Sequence, residues 1–209
     1  MESEIIRTGR FSVRYYSLNT LIIGSGAASL NAAVSLSSMN VEDILMVTAN
    51  WGGGTSNNAG SDKQTYYKLS LAGGEPDSVR EMAQDLFNGK CMHGDIALCE
   101  AQGSVQAFIK LVGLGVPFPR DKYGSFAGYK TDNDPRARAT SAGPYTSGMM
   151  VKALAGEVRK RNIKVLDNHQ VIELLTSGDG SRVTGAVAID TTKKDPFDAF
   201  AVFNAVNLI

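Results

Sequence analysis

Two glycines at the end of an apolar run have the clearest chemical use in this sequence. Gly24 and Gly26 follow the apolar residues 20–23 in TLIIGSGAASLNAA, and Ser29 takes the third position of the spacing. Glycines so placed let a diphosphate approach the backbone, and a helix that starts here offers free N–H groups and the positive end of its dipole. Gly or Ala is usual at the third position, where a small residue lets the helix pack on the strand. The stretch predicts a dinucleotide-binding turn; the alternative is an ordinary small-residue turn of an α/β protein.

The elements that position this turn form a predicted βαβ unit over residues 18–50. Short apolar runs at 20–23 and 44–47 predict two buried strands, and residues 27–39 predict the helix between them. NAD-binding units carry an acidic residue at the end of the second strand, where it binds the ribose hydroxyls, whereas this chain has Thr48 there. Thr48 therefore disfavours a nicotinamide cofactor without excluding it.

The remaining sequence predicts helices and strands separated by two loops. Residues 49–61 are uncharged and rich in Gly, Asn and Ser, and residues 120–145 have no clear period, so both are predicted to be loops. Helices are predicted over 64–71, 77–87, 95–114 and 146–161, and strands over 164–166, 169–176, 183–190 and 199–208. The core-facing residues of the helix over 95–114 are predicted to be Ile96, Cys99, Val105, Phe108, Ile109 and Val112. The charged residues of the second loop, Asp132, Asp134, Arg136 and Arg138, are interpreted as solvated.

Composition disfavours several classes of partner. The 209 residues contain 21 Lys plus Arg and 21 Asp plus Glu, so the net charge is zero. Nucleic acid is therefore not expected as a partner, because phosphate binding needs clustered Lys and Arg. No apolar run approaches the roughly 18 residues of a membrane span, and the first twenty residues lack the apolar centre of a secretory signal. We expect a cytoplasmic chain without direct membrane insertion.

Cysteines and histidines predict no metal site. Cys91 and Cys99 have no CxxC spacing and are interpreted as reduced thiols. His93 and His169 lie far apart in the sequence and have no clustered carboxylate or thiol partners. Each histidine is interpreted as a surface or locally bonded residue.

A series of segments from about residue 18 onward is informative through its order and spacing. The segments are IIGSGAASLNAA, ILMVTAN, GGGTSNNAGS, LVGLGVPFPRDKYGS, TSGMMVKALAGEVRKRNIKVLDNHQVIELL, RVTGAVAID and FNAVNLI. This series resembles the flavoprotein subunits of fumarate reductase and succinate dehydrogenase and the related L-aspartate oxidases. The resemblance implies an α/β fold: a Rossmann-like FAD-binding domain of the glutathione-reductase-like ββα type with an added β-hairpin or sheet. In that family FNAVNLI leads into a second glycine motif, so residues 1–209 are expected to be the N-terminal part of the domain, without the capping domain.

The resemblance also implies which residues hold FAD. Gly24, Ser25, Gly26, Ala27 and Ala28 would bind the diphosphate. Thr48, Ala49 and Asn50 would lie near the adenosine ribose, and Val171 would meet adenine through its backbone. Gly54, Thr55, Ser56, Asn58, Gly60 and Ser61 would run beside the diphosphate and the isoalloxazine. The alternative for this last loop is a solvated connector.

Two departures from the family pattern limit what the resemblance implies. In the succinate and fumarate enzymes a His of this loop bonds covalently to the flavin, and Ser56 occupies that position here, so the FAD is expected to be non-covalent. The family's Thr-Gly-His is Ser147-Gly148-Met149 in this chain. The family's Arg and His that bind a dicarboxylate and deliver a proton come from the capping domain and a later segment. The catalytic residues are therefore expected outside residues 1–209.

The predicted function is the FAD-binding portion of a flavin-dependent oxidoreductase that transfers hydride, incomplete for catalysis on its own. The alternatives are a nucleotide-binding module without activity and an NAD-dependent dehydrogenase. The whole protein would act on a small-molecule substrate. An electron-transfer partner or a homo-oligomer is compatible with the resemblance.

Overall fold

A computed structural model describes residues 1–61, 64–72, 76–126, 128–132 and 134–209. The elements in chain order are β1 (Glu2–Thr8), β2 (Phe11–Ile23), α1 (Ala27–Ser38), β3 (Ile44–Val47), α2 (Thr55–Asn58), β4 (Tyr66–Tyr67), α3 (Val79–Asn88), α4 (Gly94–Gly113), β5 (Ala139–Thr140), α5 (Thr146–Lys160), β6 (Lys164–Leu166), β7 (His169–Thr176), β8 (Val183–Asp190) and β9 (Phe200–Leu208). The chain divides into a first unit, Met1–Asn58 with Leu154–Ile209, and a second unit, Ala59–Ala153.

The first unit is built on a seven-stranded sheet with the order β6-β3-β2-β9-β8-β7, and β1 pairs with β2. Strands β6, β3, β2 and β9 run parallel to one another. Strands β7 and β8 form an antiparallel hairpin that joins the parallel part through β8 and β9. This arrangement confirms the predicted α/β class with an added hairpin.

The core of the first unit lies on the two apolar runs that predicted the βαβ strands. Leu21 and Ile22 of β2 and Leu45 and Met46 of β3 are each at most 1% exposed. Strands buried on both faces are typical of a parallel sheet, and this is why the runs are continuously apolar. The sheet places the carboxyl ends of β2 and β3 side by side, with Ile23 opposite Val47.

The N-terminal hairpin was not predicted from the sequence. Strand β1 pairs antiparallel with the first half of β2, in register from Glu2 opposite Ser17 to Thr8 opposite Phe11. All of β1 is exposed, so it carries no burial pattern that could identify it as a strand.

The second unit contains α3, α4 and a small aromatic core. Phe108 of α4 lies with its ring centroid 4.7 Å from that of Phe118 and 4.9 Å from that of Phe126. Tyr66 of β4 packs on the same cluster, 5.7 Å from Phe108. The helix predicted over 64–71 is therefore wrong in its central part: Tyr66 and Tyr67 form a short strand that pairs with β5.

The predicted core face of α4 was wrong in part: Phe108 is buried as predicted, but three of the other predicted residues are exposed. Ile96 and Ile109 are 59% and 47% exposed, and Cys99 is exposed. The buried residues of this helix are Ala97, Ala101, Ser104, Phe108 and Leu111. Helix α4 packs against α3, and small side chains allow two helices to approach closely. The prediction favoured the most hydrophobic side chains and therefore chose a face of α4 next to the one that is buried.

The predicted loops hold more structure than expected. Residues 49–61 include the short helix α2. In the loop over 120–145, Asp134 and Arg138 are 7% and 0% exposed, which corrects their interpretation as solvated. Arg138 donates two hydrogen bonds to Asp77, at 2.9 and 2.7 Å, and one to Asp85 at 2.6 Å. These residues, with Asp134, form a buried ion cluster inside the second unit.

Candidate cofactor-binding site

The predicted glycine turn connects β2 to α1 in a conformation that requires glycine. Gly24 has φ +105°, and its backbone N–H donates to the carbonyl oxygen of Val47 at 2.7 Å. A side chain is strained at such a φ, and a Cβ on Gly24 would lie 3.2 Å from Ser29 Oγ. The turn is thus fixed to the carboxyl end of β3 by its own backbone.

The N-terminus of α1 is open to a ligand. Gly26 is its N-cap, with φ −75° and ψ 177°, and it provides no side-chain capping hydrogen bond. The first N–H groups of a helix have no partner within it, so they and the helix dipole favour an anion here. No acidic residue lies in the first turn of α1, where it would compete with that anion.

Ser29 explains how the turn tolerates a serine at its third position. Its hydroxyl donates to the carbonyl oxygen of Ile23 at 3.2 Å, so it joins the first turn of α1 to the end of β2. A hydrogen bond here replaces the close contact that Gly or Ala usually provides.

The hydroxyl groups of Thr48 and Ser25 form a hydrogen bond with each other at the glycine turn. Their hydroxyl oxygens are 3.0 Å apart, and the two residues are 6% and 7% exposed. Ser25 Oγ also lies within donor distance of the Asn50 carbonyl oxygen, at 3.4 Å. The Thr48 hydroxyl therefore links the end of β3 to the glycine turn.

A cavity of about 470 Å³ opens beside the turn in the first unit. Eight of the residues predicted to hold FAD line it: Gly24, Ser25, Gly26, Thr48, Ala49, Asn50, Gly54 and Val171. Gly53, His169 and Gln170 line it as well, and they were not predicted. The pattern could have indicated His169, because it is two residues before Val171 in a strand and so lies on the same face.

The remaining predicted residues lie outside this cavity. Ala27 and Ala28 begin α1, and Thr55, Ser56 and Asn58 belong to α2, where Asn58 Nδ2 donates to the carbonyl oxygens of Gly52 and Gly54 at 2.8 and 3.0 Å. Gly60 and Ser61 belong to the second unit. There the Ser61 N–H donates to the Pro144 carbonyl oxygen at 3.0 Å, and a Cβ on Gly60 would lie 2.9 Å from the Tyr145 ring.

The two histidines are bonded locally, as interpreted from the sequence. His93 Nδ1 accepts from the Asp95 N–H at 3.3 Å and caps α4. His169 Nδ1 lies 2.7 Å from the Asp167 carbonyl oxygen. Within the described ranges, no group of three or more His, Cys, Asp or Glu residues is placed to hold a metal ion.

The acidic group nearest to the cavity histidine is Asp190. His169 Nε2 lies 4.0 Å from Asp190 Oδ2, and the two residues are paired across β7 and β8. Burial alone would raise the pKa of the Asp190 carboxyl, but the hydrogen bonds that it accepts from the side chain and the N–H of Thr192 oppose burial, and the pKa is lowered. The Asp190 carboxylate is therefore a negatively charged group next to Nε2 of His169.

The sheet topology, the positive-φ glycine and the uncapped helix N-terminus together define a dinucleotide-binding protein of the Rossmann type. Residues 19–205 match the family model described as FAD binding domain, so the chain belongs to the FAD-binding domain family. The residues at the turn fit this cofactor, because the backbone conformation and the open N–H groups leave room for a diphosphate.

Known relatives agree with this assignment. The chain is 25% identical over 166 residues to L-aspartate oxidase of Streptomyces coelicolor, covering 78% of this chain and 27% of the oxidase. It is 27% identical over 180 residues to the 8-methylmenaquinol:fumarate reductase flavoprotein subunit of Wolinella succinogenes, covering 83% of this chain and 28% of that subunit. The chain thus spans little more than a quarter of the length of these relatives.

A solved structure shows the same fold. Quinol fumarate reductase of E. coli superposes with a TM-score of 0.77 at 18% identity, over 93% of this chain and 32% of that one. The predicted resemblance to the fumarate reductase and succinate dehydrogenase flavoproteins is therefore confirmed, and so is the predicted role as an FAD-binding domain of such proteins. In the part of the chain that the structure describes, no helix combines the length and the apolar character that a membrane crossing demands.

Proposed function

We propose that this chain binds FAD non-covalently and serves as the FAD-binding part of an oxidoreductase that transfers hydride. The observation that carries the proposal is the glycine turn, where Gly24 at φ +105° is followed by the uncapped N-terminus of α1 beside a cavity of about 470 Å³. A diphosphate bound there would accept hydrogen bonds from the first N–H groups of the helix.

The lining of the cavity supports an orientation for the cofactor. In this proposal Gly24, Ser25 and Gly26 hold the diphosphate with Ala27 and Ala28, and the adenosine lies toward Thr48 and Val171. The segment from Gly54 to Ser61 runs beside the diphosphate and the flavin ring. Ala49 and Asn50 complete the adenosine end.

The Thr48 hydroxyl supports FAD over a nicotinamide cofactor. An NAD-binding unit needs a carboxylate at this position to accept hydrogen bonds from the ribose hydroxyls. Thr48 has no carboxylate, and its hydroxyl already interacts with Ser25 at 3.0 Å. An NAD-dependent dehydrogenase is the less favoured alternative for this reason.

Ser56 supports non-covalent binding. In the resemblance this position carries the histidine that bonds to the flavin, and a serine hydroxyl is not that nucleophile. Neither His93 nor His169 lies in the segment over 49–61. The cofactor would thus be retained by hydrogen bonds, packing and electrostatics alone.

The activity of the whole protein is proposed from the relatives. FAD, when bound, supplies the hydride chemistry, while the chain binds and orients it. We propose a small-molecule substrate, with the hydride exchanged at a C–C bond or an amine, and residues 1–209 as the N-terminal part of the FAD-binding domain. The groups that bind substrate and transfer its proton would belong to a capping domain outside these residues. A cytoplasmic location, and an electron-transfer partner or a second copy of the chain, complete the proposal.

A flavin absorbance spectrum tests the proposal. The purified full chain is incubated with FAD, separated from free cofactor and examined for flavin absorbance; it is then precipitated with acid. We expect a yellow chain that releases its flavin into the acid supernatant. A folded but colourless chain that cannot be reconstituted would favour the alternative of a module without flavin function. Flavin that stays with the pellet would contradict non-covalent binding.

A further inference from the structure

His169 lies beside Thr48, the position at which an NAD-binding unit carries its ribose-binding carboxylate. Its backbone N–H donates to the Thr48 carbonyl oxygen at 2.9 Å, so β7 begins beside the carboxyl end of β3. His169 lines the same cavity as Gly24 and Thr48. It is the one residue with a titratable side chain among those that line this cavity, all of which the structure describes.

The hydrogen bonds of the imidazole fix which nitrogen carries the proton. Nδ1 lies 2.7 Å from the Asp167 carbonyl oxygen, which can only accept, so Nδ1 is the donor. In the neutral form of the ring, Nε2 then carries the lone pair and is an acceptor. Asp167 is itself held in place, because its Oδ1 accepts from the N–H groups of Trp51 and Asn168, both at 2.7 Å.

The other polar groups near the two ends of β3 are held by hydrogen bonds, by an ion pair or by packing. The hydroxyls of Thr48 and Ser25 interact with each other. The Asn50 side chain is packed at Gly53, where a Cβ would lie 2.6 Å from Asn50 Nδ2. Asp43, the carboxylate just before β3, accepts from the Asn19 N–H at 3.0 Å and pairs with the amino group of Met1.

Among the described residues, Nε2 of His169 faces the Asp190 carboxylate and receives no hydrogen bond. Its Oδ1 accepts from the N–H and the hydroxyl of Thr192, at 3.0 and 2.6 Å, while Oδ2 faces Nε2 at 4.0 Å. A neutral imidazole nitrogen and a carboxylate oxygen are both acceptors, so a group that donates hydrogen bonds is favoured near them. A ribose carries such donors on its two hydroxyls.

We propose that His169 recognises the adenosine ribose of the cofactor, with Nε2 accepting a hydrogen bond from a ribose hydroxyl. The inference rests on the proposed FAD binding and adds to it a specificity-determining residue. His169 replaces the carboxylate of NAD-binding units from a different strand, β7 instead of β3. Recognition of the ribose is then compatible with a threonine at position 48.

The test compares two nucleotides that differ only in the ribose hydroxyls, with FAD as the reference ligand. Binding of FAD, ADP and 2′,3′-dideoxy-ADP to the full chain is measured by isothermal titration calorimetry. In His169→Asn the amide nitrogen can keep the hydrogen bond to the Asp167 carbonyl while the acceptor at Nε2 is lost. His93→Asn is the matched control, because it makes the same substitution at a histidine of the second unit that does not line the cavity.

The wild-type chain should bind ADP roughly 3- to 10-fold more tightly than the dideoxy analogue, the range of one net hydrogen bond. His169→Asn should bind the two nucleotides equally, and His93→Asn should keep the wild-type preference. A wild-type chain that binds FAD without distinguishing the two nucleotides, or a preference that survives in His169→Asn, would overturn the inference. A folded wild-type chain that binds no FAD would instead reject the proposed function.

Discussion

Replacing Arg138 by methionine is expected to destabilise the second unit strongly. The side chain of Arg138 is fully buried and that of Asp77 is 2% exposed, and the two form a bidentate pair. Arg138 Nη1 also donates to Asp134 at 3.3 Å and to the Tyr67 hydroxyl at 3.2 Å. In Arg138→Met, Asp77 and Asp134 keep their negative charges in a buried place and lose this cation.

The magnitude follows from the cost of an uncompensated buried charge. Removing one partner of a buried ion pair costs about 3–5 kcal/mol, and a whole domain is stable by only about 5–15 kcal/mol. Arg138→Lys keeps the positive charge but cannot make the bidentate contact with Asp77, so its loss should be intermediate. This second variant keeps the prediction measurable should the methionine variant fail to fold.

Urea unfolding followed by far-UV circular dichroism measures these differences. Lys160→Met is the matched control: its ammonium pairs with Glu157 at 3.4 Å but is 77% exposed, so its removal should change the free energy of unfolding by less than about 1 kcal/mol. An Arg138→Met variant that unfolds within about 1 kcal/mol of the wild type, with an unchanged urea dependence, would refute the reasoning.

Three further predictions concern the turn and the same cluster. Gly24→Ala places a side chain at φ +105°, so we expect the affinity for FAD to fall by at least about 10-fold. Fluorescence titration measures this affinity, and an unchanged value would show that the turn does not bind the diphosphate. Thr48→Val removes the hydroxyl beside Ser25 and should lower the free energy of unfolding by about 1 kcal/mol. The affinity for FAD should change less than about threefold. A large loss of affinity would instead show that the hydroxyl binds the ribose. Burial alone would raise the pKa of the Asp77 carboxyl, but hydrogen bonds from Arg138 and from the Ser70 and Ser78 N–H groups lower it. Since the pKa of this carboxyl is lower in the folded than in the unfolded chain, the carboxylate contributes stability above about pH 4, and this contribution is lost as the pH falls further. Acid titration followed by circular dichroism should therefore show a smaller loss of stability at low pH in Asp77→Asn than in the wild type.

Local sequence patterns predicted the glycine turn and the elements on either side of it. The strand before Gly24 and the helix after it depend on adjacent residues: an apolar run, two glycines and a run of small helix formers. The turn geometry follows from the glycines themselves, because Gly24 takes a φ that other residues rarely adopt. The strands of the hairpin were likewise visible in their alternating residues.

Long-range contacts decided what the sequence did not predict. Arg138 binds Asp77 and Asp85, which are more than 50 residues away in the sequence. The sequence around Arg138 does not show these partners, so Arg138 was interpreted as a solvated loop residue. His169 reaches the cavity because β7 begins beside the end of β3, and no short pattern encodes that pairing.

The buried face of α4 depended on its neighbour in the fold. Helix α4 packs against α3, and its small residues Ala97 and Ala101 are buried while the larger Ile96 stays exposed. A hydrophobicity pattern favours the large residues and gives no information on how near the next helix approaches. The sequence pattern therefore located the helix and its buried Phe108 correctly but assigned the rest of the core face incorrectly.

The most direct test of the central claim is the stoichiometry of FAD on the full chain. Equilibrium dialysis of the folded chain against FAD, with NAD in a parallel experiment, measures it. The structure predicts one FAD per chain, displaced by ADP, and much weaker binding of NAD. A chain with native circular dichroism that binds no FAD, or that binds NAD more tightly than FAD, would contradict the assignment of the glycine turn.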